Sequence, residues 1–135
     1  MNDQNRIAAF LAEPHLADLV TLMPDGAPHV APVWYSWDGE SYFVLAEPTT
    51  VKVRNMTADA RVAMSIASRL SPYSYVLVQG TATVSEADTD PLLFKLAYHY
   101  MGKEKGHEYA VKTQAEEIFI LITITADKTI SFFDD

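Results

Sequence analysis

The sequence contains no cysteine among its 135 residues. Disulfide bonds, thiolate zinc sites, iron–sulfur clusters and thiol nucleophiles are therefore excluded. Cationic side chains are also scarce, since ten Lys and Arg stand against eighteen Asp and Glu, for a formal net charge of -8. A field of this sign repels nucleic acid and anionic membranes. We therefore expect neither as a partner unless the few cations are concentrated in one place.

Long hydrophobic runs are missing as well. No stretch of the sequence reaches the ~18 consecutive apolar residues that a membrane-spanning helix needs. The first 15 residues have neither a cationic segment nor a long apolar core, so they do not predict a signal peptide. We expect the cytoplasm as the compartment.

The composition that is present is typical of one globular domain. Apolar residues make up 49% of the chain and charged residues 21%, and no repeat, low-complexity tract or change of composition marks a boundary. A compact domain usually has roughly 100–150 residues. We predict a single domain over residues 1–135.

Strand patterns outnumber helix patterns along the chain. The predicted strands are residues 16–23, 28–37, 41–46, 60–68, 73–84 and 117–125, with 128–133 as a short final strand or tail. The predicted helices are residues 4–13, 49–57 and 88–101, and a glycine-punctuated loop at 102–106 precedes a short helix at 107–114. With short links, this order predicts a mainly β fold, an antiparallel sheet or barrel whose first three strands form a meander.

Two of the predicted strands, 29–37 and 117–125, are apolar on both faces. A half-exposed antiparallel strand should alternate apolar with polar residues. The outer face must then be covered by a helix, a second subunit or a bound ring. Because the predicted helices are too few to cover both strands, the pattern favours a homodimer, with helix cover as the alternative.

The start of the helix at 49–57 predicts an anion site. Thr49 and Thr50 stand at its N-terminal end, Lys52 falls in the first turn, and Asn55 lies three residues later on the same predicted face. Free N–H groups make this end partly positive, so a lysine is unfavourable there unless an anion binds. Hydroxyls, N–H groups and an ammonium group together suit a phosphate. The alternative interpretation, a solvated lysine on an amphipathic turn, has equal weight on this pattern alone.

Aromatic and histidine residues give weaker indications. Trp34, Tyr35 and Trp37 follow one another on one strand, where they either pack in the core and interface or line the pocket of a planar ring. The four histidines have no metal-ligand spacing, and we predict no metal site. Neither a Ser/His/Asp arrangement nor a glycine-rich nucleotide-binding motif is recognisable.

Four short segments carry a resemblance to a known family. They are Ala31-Pro32-Val33-Trp34-Tyr35, Ala46-Glu47-Pro48 leading into Lys52-x-Arg54-Asn55, Ala60-Arg61-Val62-Ala63, and Gln79-Gly80-Thr81-Ala82. Their order resembles that of the pyridoxamine 5'-phosphate oxidase-like split β-barrel superfamily, and within it the branch of coenzyme F420-dependent oxidoreductases. The resemblance extends over residues 5–125.

The resemblance implies a six-stranded split barrel that forms a homodimer and binds FMN or F420 in a groove at the subunit interface. By position, Lys52 and Asn55 match the segment that contacts the cofactor phosphate, with Thr50 at the preceding polar or cationic position. Some F420-binding relatives have an arginine where this chain has Thr50. The choice between the two cofactors therefore stays open.

Further residues follow from the same resemblance. Val33 and Trp34 match the strand that lies against the cofactor ring, and Gln79 matches a position near the ring or its pocket wall. The superfamily's oxidases use C-terminal arginines to bind pyridoxine phosphate. This chain has no counterpart, since its last arginine is Arg69. Vitamin B6 oxidation is therefore not expected.

The function implied is an oxidoreductase that transfers a hydride from reduced F420 or FMN to a small organic acceptor. Tyr75, Tyr98 and Tyr100 are candidate proton donors, and Lys103 and Lys105 are candidate contacts for the anionic F420 tail. A non-catalytic carrier or sensor of flavin or haem on the same barrel is the alternative. A structural protein with a decayed cofactor site is a third hypothesis.

Overall fold

Residues 3–134 are described by the computed structural model, and an antiparallel sheet forms its centre. The strands are β1 (Ala17–Leu22), β2 (Pro28–Val33), β3 (Ser36–Trp37), β4 (Ser41–Ala46), β5 (Arg61–Ala67), β6 (Ser74–Ser85) and β7 (Ile120–Phe133). The helices are α1 (Asp3–Leu11), α2 (Val51–Ala58), α3 (Asp90–Met101) and α4 (Lys103–Glu116). The strand order is β2-β1-β5-β6-β7-β4-β3. The mainly β, antiparallel split-barrel fold is confirmed, with seven strands in residues 3–134 instead of six.

The curl of the sheet follows from its topology. Strands β2 and β3 are consecutive in the chain but lie at opposite edges of the sheet. Only Trp34 and Tyr35 separate them, so the two edges must come close together. The predicted strand 28–37 is thus two strands, and the predicted meander holds for the β1–β2 and β3–β4 hairpins but not between β2 and β4.

Tyr35 explains why the strand breaks. Its side chain is buried, and its hydroxyl donates a hydrogen bond to the carbonyl oxygen of Leu11 at 2.9 Å. Its backbone N–H donates to the Tyr100 hydroxyl oxygen at 3.2 Å instead of to a neighbouring strand. Burial is the main cause that raises the pKa of the Tyr35 phenol, so the hydroxyl keeps its proton at neutral pH.

Two further boundaries differ from the prediction. Strand β7 is continuous from Ile120 to Phe133 and contains a β-bulge at Asp127, which has no partner because Gly80 of β6 pairs with Ala126 and Gln79 pairs with Lys128. Helix α4 begins at Lys103, directly after Gly102, which has a φ of 85°. The predicted loop at 102–106 and short helix at 107–114 therefore form one helix of 14 residues.

The core has two parts. The barrel interior holds the inward side chains of the alternating strands, and Phe10 and Leu11 of α1 pack against them. A second cluster joins α3 to α4 through Leu93, Ala97 and Ala110, with Trp34, Leu45, Phe94 and Phe119 packed against it. The α3–α4 hairpin therefore covers part of the outer face of the sheet beside the β2–β3 link.

No helix within residues 3–134 has both the length and the apolar character needed to cross a membrane.

Candidate functional site

A cavity of about 260 Å³ lies between the β2 end of the sheet and the α3–α4 hairpin. Its lining is apolar and aromatic with one cationic side chain, which is typical of small-molecule sites. The lining residues are Pro32, Val33, Trp34, Leu45, Lys52, Leu93, Leu96, Tyr109 and Phe119. We call it the Trp34–Lys52 cavity.

Trp34 forms an aromatic wall of this cavity, and Tyr100 holds its ring in place. The Trp34 ring stacks on Tyr100, with centroids 4.8 Å apart and planes 3° from parallel, and lies 5.6 Å from the Tyr109 ring. The Tyr100 hydroxyl donates to the carbonyl oxygen of His15 at 2.7 Å. Burial raises the pKa of the Tyr100 phenol, which keeps this donor protonated at neutral pH. The Trp34 ring is therefore a preorganised surface for a planar ligand.

Lys52 places the positive charge at the start of α2. Thr50 is the N-cap, but its side chain makes no cap hydrogen bond, because its hydroxyl donates to the carbonyl oxygen of Glu47 at 2.8 Å. The first backbone bond into the helix is from the Arg54 N–H to the Thr50 carbonyl oxygen. The N–H groups of residues 51–53 thus precede the helical ladder. Within residues 3–134 Lys52 has no ion pair, so charge and donors both suit an anion.

The backbone of β2 adds a further polar feature. In the part of the chain that the structure describes, β2 pairs only with β1, so it is an edge strand. One row of its N–H and C=O groups is therefore open on the side away from β1. Pro32, which has no N–H to donate, is in keeping with an edge position. A ligand beside Val33 and Trp34 can thus bond to main-chain atoms.

Three of the seven predicted site residues line the cavity, and four do not. Val33, Trp34 and Lys52 come together there. Thr49 and Thr50 lie in the turn that leads into α2. Whether they contact a cofactor stays a prediction.

Asn55 and Gln79 are the other two. Asn55 is only 4% exposed, and its Nδ2 donates to Thr21 Oγ1 at 3.0 Å, so it packs between α2 and β1 and does not share the surroundings of Lys52. Gln79 is exposed on β6, opposite Ala63 of β5. The structure brings neither residue to the cavity.

Helices α3 and α4 supply a wall of the cavity that the sequence pattern does not predict. Tyr109 lines the cavity and carries the only phenol hydroxyl among the lining residues. The small residues Gly106 and Ala110, one helical turn apart, were the available signal for close helix packing. The sequence predicts a loop at Gly106, whereas the structure places this residue within α4.

The three tyrosines proposed as proton donors lie outside the cavity. Tyr75 stacks on Phe132 with centroids 5.3 Å apart. The Tyr98 hydroxyl is 2.8 Å from His107 Nδ1, and the Tyr100 hydroxyl is engaged with the backbone as described. Within residues 3–134 no group of three or more His, Asp or Glu side chains is arranged to hold a metal ion.

Comparison with known proteins gives a family and several relatives. Residues 4–128 match the family model described as pyridoxamine 5'-phosphate oxidase. The F420H(2)-dependent biliverdin reductase of Mycobacterium tuberculosis (strain CDC 1551 / Oshkosh) is 31% identical over 77 residues, which are 57% of this chain and 56% of that protein. The match thus spans little more than half of the relative's length.

Two solved structures share the fold. One is named F420 reductase, with 26% identity, a TM-score of 0.73 and coverage of 90% of this chain and 94% of that chain. The other is HutZ, the haem storage protein from Vibrio cholerae, with 20% identity, a TM-score of 0.70 and coverage of 98% and 95%.

Proposed function

Because this chain belongs to the pyridoxamine 5'-phosphate oxidase family, we propose that it is an oxidoreductase that binds coenzyme F420 in the Trp34–Lys52 cavity. FMN is the alternative cofactor. The observation that carries the proposal is one cavity that combines a fixed aromatic wall, an edge strand and an unpaired lysine at an uncapped helix start. The names of the biliverdin reductase and of the F420 reductase support F420 over FMN.

The residues present fit such a cofactor. Its anionic phosphate would be held by the Lys52 ammonium group and the first N–H groups of α2. Its ring would lie beside Val33 and Trp34, where main-chain groups of the edge strand offer hydrogen bonds. In a protein of net charge -8, Lys52 supplies the local positive charge that an anionic ligand requires.

When bound, F420 or FMN supplies a hydride for an electrophilic carbon of the acceptor. The chain's own residues bind and orient the reactants and exclude water. Tyr100 fixes the Trp34 ring, while Leu93 and Phe119 add apolar surface to the lining of the cavity. Tyr109 is the lining residue that carries a phenolic hydroxyl, and we assign it as the proton source for the acceptor.

A homodimer with the cofactor between its subunits is part of the proposal. The cavity of about 260 Å³ in one chain is smaller than the roughly 300–1,000 Å³ of typical ligand pockets. Apolar side chains on the outer face of the sheet, among them Val30, Ile130 and Phe132, are about half exposed in the single chain. A second copy that covers this face would bury them and supply the missing wall.

Titration of the purified protein with F420 and with FMN tests the cofactor. We expect micromolar binding of F420, and we expect Lys52→Met to weaken it at least about tenfold, since a charge-assisted contact contributes about 1.5–3 kcal/mol. Lys112→Met is the matched control, because Lys112 is an exposed lysine that is not among the lining residues of the cavity. Failure to bind either cofactor below high micromolar concentrations would refute the proposal. Indifference to Lys52→Met would indicate a decayed site.

Turnover separates the enzyme from a carrier or sensor. The protein is mixed with reduced F420 and with a panel of acceptors that includes biliverdin, a quinone and an enone, and oxidation of the cofactor is followed by absorbance. We expect oxidation with at least one acceptor and a slower rate in Tyr109→Phe. Tight binding without turnover of any acceptor would instead support the non-catalytic alternative.

A further inference from the structure

A second cavity, of about 590 Å³, lies between the turn after α1 and the β5–β6 hairpin. It shares no lining residue with the Trp34–Lys52 cavity. Its lining combines apolar side chains with polar and cationic ones. The residues are Phe10, Glu13, Pro14, His15, Leu16, Ala67, Ser68, Arg69, Leu70, Ser71, Pro72 and Ser74.

One residue of this lining, His15, has a buried nitrogen without a hydrogen-bond partner. His15 Nε2 is buried and has no hydrogen-bond partner, and the nearest carboxylate oxygen, Glu13 Oε1, is 3.6 Å away, beyond hydrogen-bond distance. The imidazole is stacked on Phe10 with centroids 4.2 Å apart, so its position is set by packing. Buried polar atoms in folded proteins nearly always have a partner. A ligand atom beside Nε2 would provide it.

Arg69 gives the cavity its charge. Within residues 3–134 its guanidinium group has neither an ion pair nor a hydrogen-bond partner, although acidic residues exceed basic ones by eight in the whole chain. Glu13 is the only acidic residue of the lining, and its side chain is 62% exposed to water. A guanidinium group matches a carboxylate with two parallel hydrogen bonds.

The apolar part of the lining indicates that the rest of the ligand is a hydrocarbon. Leu16 and Leu70 are 43% and 79% exposed at this cavity, and Pro14 and Pro72 add further apolar surface. A hydrocarbon body would cover these side chains and be stabilised by the area that it removes from water. The volume lies within the range of drug-sized ligand pockets.

We propose that this cavity binds a small amphipathic carboxylate, with the carboxylate on Arg69 and His15 and the hydrocarbon body against Leu16 and Leu70. The site is distinct from the proposed cofactor site. Its occupation does not require F420 or FMN, so it can be tested on the protein without either cofactor. The fate of one proposal therefore does not decide the other.

The test is a ligand-observed NMR titration of the intact protein at pH 7 with octanoate and with 1-octanol. We expect octanoate to bind to the wild-type protein. Binding of 1-octanol to the wild type, and binding of octanoate to Arg69→Gln, should each be at least about tenfold weaker, because the charge-assisted contact is lost. Arg69→Lys keeps the charge and should restore part of the affinity. Arg61→Gln is the matched control, since Arg61 is an exposed arginine paired with Asp59 and should change binding by less than about twofold.

The NMR signals of the histidine rings show where octanoate binds. We expect the ring signals of His15, assigned by comparison with His15→Gln, to move on addition of octanoate while those of His107 do not. The proposal is overturned if octanoate does not bind at concentrations up to about 5 mM. It is equally overturned if 1-octanol binds as tightly as octanoate, or if Arg69→Gln and Arg61→Gln weaken octanoate binding alike. Unchanged His15 signals on addition of octanoate would also overturn it.

Discussion

At the scale of single residues, the contact between Asn55 and Thr21 joins helix α2 to strand β1. The Asn55 Nδ2 donates to Thr21 Oγ1 at 3.0 Å, and it also lies 3.4 Å from Met23 Sδ. Thr21 is fully buried and Asn55 nearly so. Because α2 carries Lys52 in its first turn, this contact positions the helix that supplies the cationic side of the Trp34–Lys52 cavity.

Breaking this contact from either side should reduce stability. We expect Thr21→Val and Asn55→Ala each to lower the free energy of unfolding by about 1–3 kcal/mol, since each leaves a buried polar group or cavity behind. Urea unfolding at pH 7 measures the effect, and the double variant should lose less than the sum of the two single ones. Additive losses would show that the two side chains do not interact.

The two single variants, Thr21→Val and Asn55→Ala, also test whether Asn55 binds the cofactor. Thr21→Val removes the internal contact and leaves the amide of Asn55 in place, whereas Asn55→Ala removes both. If Asn55 only positions α2, the two variants should weaken F420 binding equally. A selective loss in Asn55→Ala would place Asn55 among the cofactor ligands, as the family resemblance implies.

At the scale of elements, the α3–α4 hairpin depends on one glycine. Gly106 lies in α4 where the helix approaches α3, and a Cβ atom built there would overlap the backbone carbonyl of Ala97. The two helices are held close by this absence of a side chain. Leu93 and Leu96 of α3 and Tyr109 of α4 line the cavity, so the packing of the hairpin shapes the site.

Gly106→Ala should therefore separate the helices. We expect a loss of about 1–3 kcal/mol in the free energy of unfolding, because the overlap is with backbone and cannot be relieved by a rotamer change. F420 affinity should fall as well, since the wall of the cavity moves. Lys105→Ala, an exposed neighbour on the same helix, controls for the effect of alanine on helix propensity. Unchanged thermal stability in Gly106→Ala would contradict this account.

At the scale of the whole molecule, the sheet has an outer face that only part of the chain covers. The α3–α4 hairpin packs on the region of Trp34 and Phe119, while Ile130 and Phe132 of β7 remain 43% and 45% exposed. Tyr75 stacks on Phe132 and extends the apolar surface onto β6. Helix cover, one of the two alternatives that the sequence offers, thus applies to the region of Trp34 and Phe119, and a partner subunit over the rest of the face stays a prediction.

A charge on this face tests the homodimer. Analytical ultracentrifugation of the wild type should give twice the chain mass of 15.0 kDa. We expect Ile130→Asp to shift the population to monomer and to weaken F420 binding at least about tenfold, because a carboxylate would be buried at the interface. Val111→Asp on α4, which starts from a similar exposure of 48%, should leave the dimer intact. A wild-type monomer at micromolar concentration would refute the arrangement.

The sequence by itself determined the fold class and indicated three of the residues that line the candidate cavity. Alternation of apolar and polar residues is a local property with a period of two, so most strands were predicted within a few residues of their ends. Lys52 in the first turn of α2 and Val33 and Trp34 at the end of β2 were also predicted, and the structure brings these three together. Their signals were local, since they depend on a helix start and on one strand.

Only the tertiary structure decided which residues share a cavity. The break of the predicted strand 28–37 depends on Tyr35, whose partners Leu11 and Tyr100 are 24 and 65 residues distant in the chain. Asn55 turns to Thr21, 34 residues away, although its spacing from Lys52 predicted a common face. Tyr109 reaches the cavity because Gly106 lets α4 approach α3. Such contacts arise from packing between distant segments, which local periodicity does not encode.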